Sequence, residues 1–335
     1  MRRVFSSLLI LALAGALLLL GAALWWLHEP MPLRLQPGSA VVDLEIEPGT
    51  TASGVADVVV ASGAEVPALL LQAWFRISGQ ARQIKAGSYE LVPGTTPRKL
   101  LSMLVRGEEA LKSVTLVEGW TFTQVQAALQ KAEQLAPDTQ GQSFGIIMEK
   151  LGKPGVHPEG RFFPDTYTYA KGSSDLAVLK RAARAMDRRL AAAWALRSPD
   201  TPLKTPEQAL ILASIVEKET GRPADRPQIG GVFTNRLRMG MLLQTDPTVI
   251  YGLGPQFDGN LRKRDLAADT PYNTYTRAGL PPTPIAMPGK AALLAAVQPA
   301  PTRALYFVAR GDGSSQFSAS LDEHNRAVNK YIRNQ

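Results

Sequence analysis

The chain has 335 residues, of which 45% are hydrophobic and 20% charged. That is enough for two or three compact units with real cores, and the composition is not that of a disordered chain. There is no cysteine and there are three histidines, His28, His157 and His324, which excludes a disulfide framework, a Cys-based zinc site, a thiol nucleophile, a lipidated cysteine and an HExxH metal motif. Lys plus Arg is 37 against 29 Asp plus Glu, a formal charge of +8 with no long basic block. Nucleic acid is therefore not the expected partner, and an anionic polymer or membrane surface accounts for the surplus as well.

Val4 to Leu27 carries no charged residue, with Arg2 and Arg3 before it and Glu29 after it. A helix of that length covers about 36 Å, enough to cross a hydrocarbon core. The exit Leu24-Trp25-Trp26-Leu27 is a poor cleavage site, so an uncleaved signal-anchor is expected rather than a removed signal peptide. The layout is a cytoplasmic tail at 1–7, a transmembrane helix at 8–27 with Trp25 and Trp26 in an interfacial belt, and the bulk of the chain exported. Missing cysteines fit a bacterial envelope protein. Residues 28–40 hold Pro30, Pro32 and Pro37 and read as a linker.

Pro-Gly-Thr-Thr then occurs twice, at 48–51 and 93–96, each time after a strand-like segment and before a helical one that runs to Gly63 or Gly107. A glycine allows the tight turn and a Thr caps the helix. With the amphipathic stretch Pro67 to Ile77 between them, the two copies predict a small α+β domain at 41–112. Leu116-Val-Glu-Gly-Trp-Thr121 is a looser third copy, followed by a helical pattern at Thr123 to Ala132.

From 113 onward a second, mixed α+β domain is expected. Residues 136–158 read as loop with a short helix from Phe144 to Leu151. Gly160 to Tyr169 alternates like a strand, and Ser174 to Leu196 is helical. Thr205 and Pro206 start a further helix, and Gly221 is its natural stop. On that helix Leu212, Ile215, Val216 and Glu219 share one face, so a carboxyl ends an apolar stripe near the helix C-terminus. Burial and the helix dipole both raise the pKa of such a group, as a general acid requires. Glu217 points elsewhere and stands as the reserve acid. Gln244, Thr245 and Asp246 cluster before Pro247, and Tyr272-Asn273-Thr274-Tyr275 mixes aromatic, amide and hydroxyl groups. Such neutral polar groups suit a polyhydroxylated ligand better than phosphate.

The motifs together resemble a family. They are Leu116-Val-Glu-Gly-Trp120, Glu159-Gly-Arg-Phe-Phe-Pro-Asp-Thr166, Ala213-Ser-Ile-Val-Glu-Lys-Glu-Thr220, Val232-Phe-Thr-Asn-Arg236, Leu243-Gln-Thr-Asp-Pro-Thr-Val-Ile-Tyr-Gly252, Tyr272-Asn-Thr-Tyr275, Gly279-Leu-Pro-Pro282, Leu305-Tyr-Phe-Val-Ala309 and the His324-Asn325 helix. In this order and over nearly the whole chain they are similar to the membrane-bound endolytic murein transglycosylases, the MltG/YceG-like family. The resemblance implies a single-pass inner-membrane protein with a LysM-like domain at 41–112 and a catalytic domain at 113–335. It implies a lyase that cuts nascent peptidoglycan strands between MurNAc and GlcNAc and leaves 1,6-anhydro ends, with no cofactor or metal. A peptidoglycan synthase is an implied partner.

The resemblance matches the catalytic glutamate to Glu219, the residue the stripe argument also selects. Glu217, Gln244 and Asp246 are the expected supporting residues. Tyr251, Asn273, Tyr275, Asn235, Phe162 and Phe163 are the expected substrate-binding residues, with Tyr167 as a further stacking candidate and Glu159 and Asp165 as further carboxylates. A non-catalytic peptidoglycan-binding scaffold and a hydrolytic muramidase are the alternatives.

Overall fold

The structure, a computed structural model, describes residues 2–35, 40–108 and 110–333, with side chains described from Leu13 onward. The expected linker at 28–40 therefore falls partly outside the described residues. The chain forms two compact units, 1–112 and 113–335.

In the first unit, helix α1 (Arg2–His28) is followed by β1 (Val42–Ile46), α2 (Ala52–Ser62), α3 (Ala68–Ile77), β2 (Gly87–Leu91) and α4 (Pro97–Arg106). Residues 2–7, expected as a tail, are already helical in α1. Among the described residues no helix is long and apolar enough to cross a membrane. The side chains of residues 2–12, which begin the charge-free segment, lie outside those described. Trp26, expected in an interfacial belt, instead packs against this unit's core, and Arg98 lies 3.4 Å from the His28 ring.

The repeated Pro-Gly-Thr-Thr builds the same turn twice. Gly49 and Gly94 both have positive φ, +88° and +92°, where a side chain would be strained. The first Thr of each copy bonds back to the chain, Thr50 Oγ1 to Glu47 O at 2.8 Å and Thr95 Oγ1 to Val92 O at 2.7 Å. The second caps its helix, Thr51 accepting from Gly54 N and Thr96 from Lys99 N. β1 and β2 pair antiparallel, with Leu44 opposite Tyr89. Val42, Leu44 and Ile46 alternate into a core with Val55, Leu71, Phe75 and Leu100.

The second unit comprises β3 (Leu111–Thr115, crossing from the first), α5 (Phe122–Lys131), α6 (Phe144–Lys150), β4 (Thr166–Ala170), α7 (Asp175–Ala195), α8 (Pro206–Glu219), α9 (Arg226–Arg238), α10 (Asp246–Leu253), α11 (Lys263–Ala267), α12 (Lys290–Val297), β5 (Tyr306–Ala309), β6 (Ser315–Ser318) and α13 (Leu321–Val328). β3 pairs with β4, and β5 with β6. The class is mixed α+β. The strand expected over Gly160 to Tyr169 begins only at Thr166. Gly160 at φ +77° and Pro164 break the extended run before it. As a result two adjacent aromatics enter two different cores. Phe162 stacks on Phe122 (ring centroids 5.1 Å) in the core of α5, α6 and α7, while Phe163 joins the core around α8.

Helix α8 is the centre of that second core, packed on α7, α9 and α12. It is buried without interruption from Ala209 to Glu217, so it is not the one-sided amphipathic helix the stripe argument assumed. Contact with its neighbours depends on glycine. A Cβ on Gly230 of α9 would lie 2.3 Å from the Ala295 carbonyl oxygen of α12. Replacing Gly230 with Ala therefore forces these helices apart. A loss of about 1–3 kcal/mol, read as a lowered denaturation midpoint, is the expected result.

Candidate active site

α8 starts where expected. Thr205 Oγ1 accepts from Gln208 N at 3.2 Å, and Pro206 occupies the first turn. It stops at Thr220, which is extended (φ −149°, ψ 134°), one residue before the expected Gly221. The last helical residue is Glu219, so its carboxyl stands where the helix meets open space.

Glu219 is half-buried, and burial pushes its carboxyl up to about 7. Asp246 reinforces the rise electrostatically, whereas a hydrogen bond from Thr245 and the charge of Arg236 oppose it. Thr245 Oγ1 donates to Glu219 Oε1. That hydroxyl is held by a buried threonine network. Thr245 N donates to Thr274 Oγ1 at 3.0 Å, the Thr248 and Thr274 hydroxyls are 2.9 Å apart, and Thr248 Oγ1 donates to Thr245 O at 2.7 Å. Any one of these threonines alone reads as a turn or cap residue in the sequence, so only their convergence reveals the network.

Arg236, 7% exposed, lies close by. It donates to the Leu305, Leu242 and Leu243 carbonyls at 2.7, 3.2 and 2.9 Å and to Gln244 Oε1 at 3.4 Å, and its guanidinium sits 5.1 Å above the Tyr306 ring. Gln244 is exposed and has φ +49°, a left-handed turn that directs the chain into Thr245. Asp246 is exposed and accepts from Tyr275 Oη at 2.5 Å. Burial and the Asp246 carboxylate raise the Tyr275 phenol, which keeps it a donor.

Glu219 lines two open clefts. One, of about 480 Å³, also takes in Arg236, Gln244, Asp246, Tyr275, Tyr306 and His324. The other, of about 460 Å³, is walled by Glu118, Trp120, Gln124, Lys218 and Thr220. Gln244, Asp246 and Tyr275 thus join Glu219 as expected neighbours. His324 is a member the residue-by-residue reading did not single out. It stacks on Tyr306 (5.2 Å, 23°), and its buried Nδ1 has no hydrogen-bond partner. Burial, then Arg236, lowers its pKa and favours the neutral ring. The rare histidine in the closing helical motif was the available signal.

Glu217, the reserve acid, is occupied otherwise. Its side chain is 4% exposed, Oε1 pairs with Arg226 at 2.9 Å, and Oε2 accepts from Gly289 N at 2.8 Å. Burial raises its pKa against these stabilising partners. Arg226 also lies 3.8 Å from Glu118. Gly289 lets Glu118 lie close, since a Cβ there would fall 1.8 Å from Glu118 Oε1 and that half-exposed side chain would have to move aside.

Several expected ligand-facing residues are structural instead. Asn273 is fully buried. Its amide donates to the Asp265, Leu266 and Ala268 carbonyls, and its Oδ1 accepts from Tyr275 N. Asn235 donates to the Thr302 and Ala304 carbonyls at 2.9 and 3.1 Å and lies away from Glu219 on another cleft. Phe162 and Phe163 are core residues, and Tyr167 donates its hydroxyl to Phe163 O at 2.7 Å. Tyr251 packs on Tyr272 (4.9 Å) and donates to Glu159 Oε2 at 3.0 Å. Glu159 in turn accepts from Phe122 N at 3.0 Å, and burial raises it to about 7. Asp165 is exposed and accepts from the Thr166 amide. The buried aromatics and amides among these satisfy the interior before they can face a ligand. Among the described residues no group of three or more His, Asp and Glu side chains could hold a metal ion.

Fold and site together define an α+β protein that presents one raised carboxyl, braced by a buried threonine network, at the junction of two open clefts. The chain belongs to the YceG-like family, whose sequence model matches residues 44–330. It is 31% identical over 308 residues to the endolytic murein transglycosylase of Bacillus subtilis, covering 87% of this chain and 85% of that protein. It is 28% identical over 283 residues to the protein of the same name from Streptococcus pneumoniae serotype 2, covering 74% of this chain and 51% of that one. A crystal structure of a YceG-like protein from Listeria monocytogenes superposes with a TM-score of 0.55 at 28% identity, over 86% of this chain and 98% of that one.

Two outcomes test the site. Thr245→Val removes the donor that stabilises the Glu219 carboxylate, so the Glu219 titration, followed by carboxyl-labelled NMR, moves above pH 7. Glu217→Ala leaves the largely buried Arg226 with only the more distant Glu118 as counter-ion and Gly289 N without its acceptor, and a stability loss of about 3 kcal/mol follows, measured by denaturant unfolding.

Proposed function

We propose that this chain is an endolytic peptidoglycan lytic transglycosylase and that Glu219 is its catalytic acid and base. Its relatives carry that name, and the observation that carries the residue assignment is the Glu219 carboxyl raised to about 7 between two clefts. A carboxyl titrating there is substantially protonated at neutral pH and can give up its proton and regain it.

In this reading a glycan strand lies along both clefts with its MurNAc–GlcNAc bond at Glu219. The acid protonates the glycosidic oxygen as the C1–O bond breaks. The resulting carboxylate accepts the proton of the MurNAc C6 hydroxyl as O6 attacks C1. A 1,6-anhydro ring closes, Glu219 is restored to its acid form, and no water is consumed. One carboxyl suffices because the nucleophile belongs to the same sugar. Arg236 and the Thr245 hydroxyl stabilise the carboxylate stage. Gln244, Tyr275 and the Tyr306–His324 pair offer amide, hydroxyl and aromatic contacts to the sugars. Asp246, already bound by Tyr275, is the carboxylate a hydrolytic muramidase would use for water.

The chain is further proposed to act at the bacterial inner membrane. The charge-free segment Val4 to Leu27 within a 27-residue helix supports an anchor, with the remainder in the periplasm. The first unit is proposed to be LysM-like and to bind glycan, and proximity to a peptidoglycan synthase follows from an action on nascent strands.

Mass spectrometry of products from uncrosslinked peptidoglycan tests the reaction. Anhydro-MurNAc ends are expected, reducing MurNAc ends would convert the reading to a muramidase, and Glu219→Gln is expected to lose at least about a hundredfold in kcat. Because the protonated form acts first, kcat/KM is expected to fall as pH rises through about 7. Full activity in Glu219→Gln sinks the assignment.

A further inference from the structure

A third cleft, of about 550 Å³, opens on the other side of α9. At about 100° per residue, Phe233 and Arg236, which face the Glu219 cleft, lie opposite Gly231, Thr234 and Arg238, which face this one. The two sites are thus back to back, separated by one helix diameter of roughly 10–12 Å.

The cavity has a fixed wall. A Cβ on Gly231 would meet Ala300 O at 2.8 Å and Thr302 Cγ2 at 2.6 Å, so only glycine lets segment 300–302 come this close. Ala300 N donates to Pro227 O at 2.9 Å, and Asn235 holds the Thr302 and Ala304 carbonyls. Three groups in it lack complementary partners. Thr234 is 1% exposed, and its Oγ1 has no hydrogen-bond partner. Arg238 donates only to neutral oxygens, the Asp200 carbonyl at 2.6 and 3.2 Å and Asn235 Oδ1 at 3.5 Å. Arg303 makes no ion pair or hydrogen bond among the described residues. A buried hydroxyl such as that of Thr234 is ordinarily satisfied, and the two exposed guanidiniums beside it are free to take an incoming anion.

The chemistry of the missing partner follows from these groups. The lining holds two guanidiniums against one acidic residue, Asp200, and neither guanidinium is ion-paired among the described residues, so the cleft suits an anion that arginine grips bidentately. Ser198, Thr234 and Thr302 offer hydroxyls, and Pro299, Ala300 and Pro301 offer an apolar wall for small side chains. Arginine grips phosphate as well, but a phosphate site ordinarily adds a Gly-rich loop of backbone N–H groups, and this lining is proline-rich with an apolar wall instead. We propose that this cleft binds the short peptide carried by a peptidoglycan strand, with a peptide carboxylate held by Arg238 and Arg303. The proposal rests on the reading of the Glu219 cleft as the glycan site, since a peptide branching from a strand there has only one helix to pass around. The enzyme then reads whether the strand it cuts still bears peptides.

The test has two arms. In the first, the full chain cleaves uncrosslinked strands with intact peptides and strands stripped of peptide by an amidase. Wild type is expected to show the lower KM on peptide-bearing strands. Arg238→Ala and Arg303→Ala, both at exposed positions, are expected to raise that KM about tenfold, the scale of one lost charge-assisted hydrogen bond, and to leave kinetics on stripped strands unchanged. Equal kinetics of wild type on both strands, or variants impaired equally on both, overturns the proposal. In the second arm, trialanine with a free C-terminal carboxylate and its C-terminal amide are titrated calorimetrically. Binding of the free acid that is lost in Arg303→Ala supports the site, and no binding or equal binding of the amide overturns it. If wild type cleaves neither strand, the Glu219 reading has failed, while the titration still decides this cleft.

Discussion

Everything at the site depends on burying α8 along its whole length while leaving its last residue at a surface. Nine consecutive buried positions, Ala209 to Glu217, lock the helix between α7, α9 and α12. The Glu219 backbone is therefore fixed, Thr245 holds its carboxyl by a hydrogen bond, and the loss of water around that carboxyl raises its pKa. The threonine network works in the opposite sense. A fixed hydroxyl from Thr245 stabilises the charged form enough for the group to pass between both protonation states near neutrality. A free glutamate at a fraying helix end would have neither influence.

Two glutamates separated by one residue are thus given different tasks by their surroundings. Glu217 sits deeper yet is tied to Arg226 and to the Gly289 amide, which makes it a brace between α8, α9 and the start of α12. The loop at 117–120 is fastened to the same region. Gly119 N donates to Met287 O at 2.9 Å and Met287 N to Trp120 O at 2.7 Å, with Lys218 reaching Gly119 O. That is how a turn about a hundred residues earlier in the chain comes to wall the cleft beside Glu219. Arg236 is the counterpart on the other cleft, a buried cation held by carbonyls rather than by a carboxylate. Its charge remains available to the neighbouring acid.

Much of the local structure was readable from residue chemistry. The paired Pro-Gly-Thr-Thr turns, the caps at Thr51, Thr96 and Thr205, and the helix that ends in Glu219 all rest on interactions within about five residues. The differences came mostly from residues whose partners are distant in sequence. Phe162, Phe163, Asn235 and Asn273 look like ligand-facing groups when only their neighbours in sequence are known. For the first three the partners lie across the fold, in two separate cores and in the 302–304 carbonyls, whereas Asn273 folds back on the nearby 265–268 carbonyls. His324 was passed over for the same reason, since its place beside Arg236 and Tyr306 depends on chain returning from the end of the domain.

By itself the sequence determined the class of chemistry. Without cysteine, and with so few histidines, a carboxyl is the natural candidate for acid–base work, and motif order pointed to the family and to Glu219 as that candidate. Which glutamate is free to act, which polar groups face the clefts, and the existence of a third cleft behind α9 were decided only by tertiary structure. The physical reason is that pKa and accessibility are set by desolvation and by partners in space. A short motif prescribes a turn or a cap, but it cannot say whether the side chain it presents will meet solvent, a ligand or the interior.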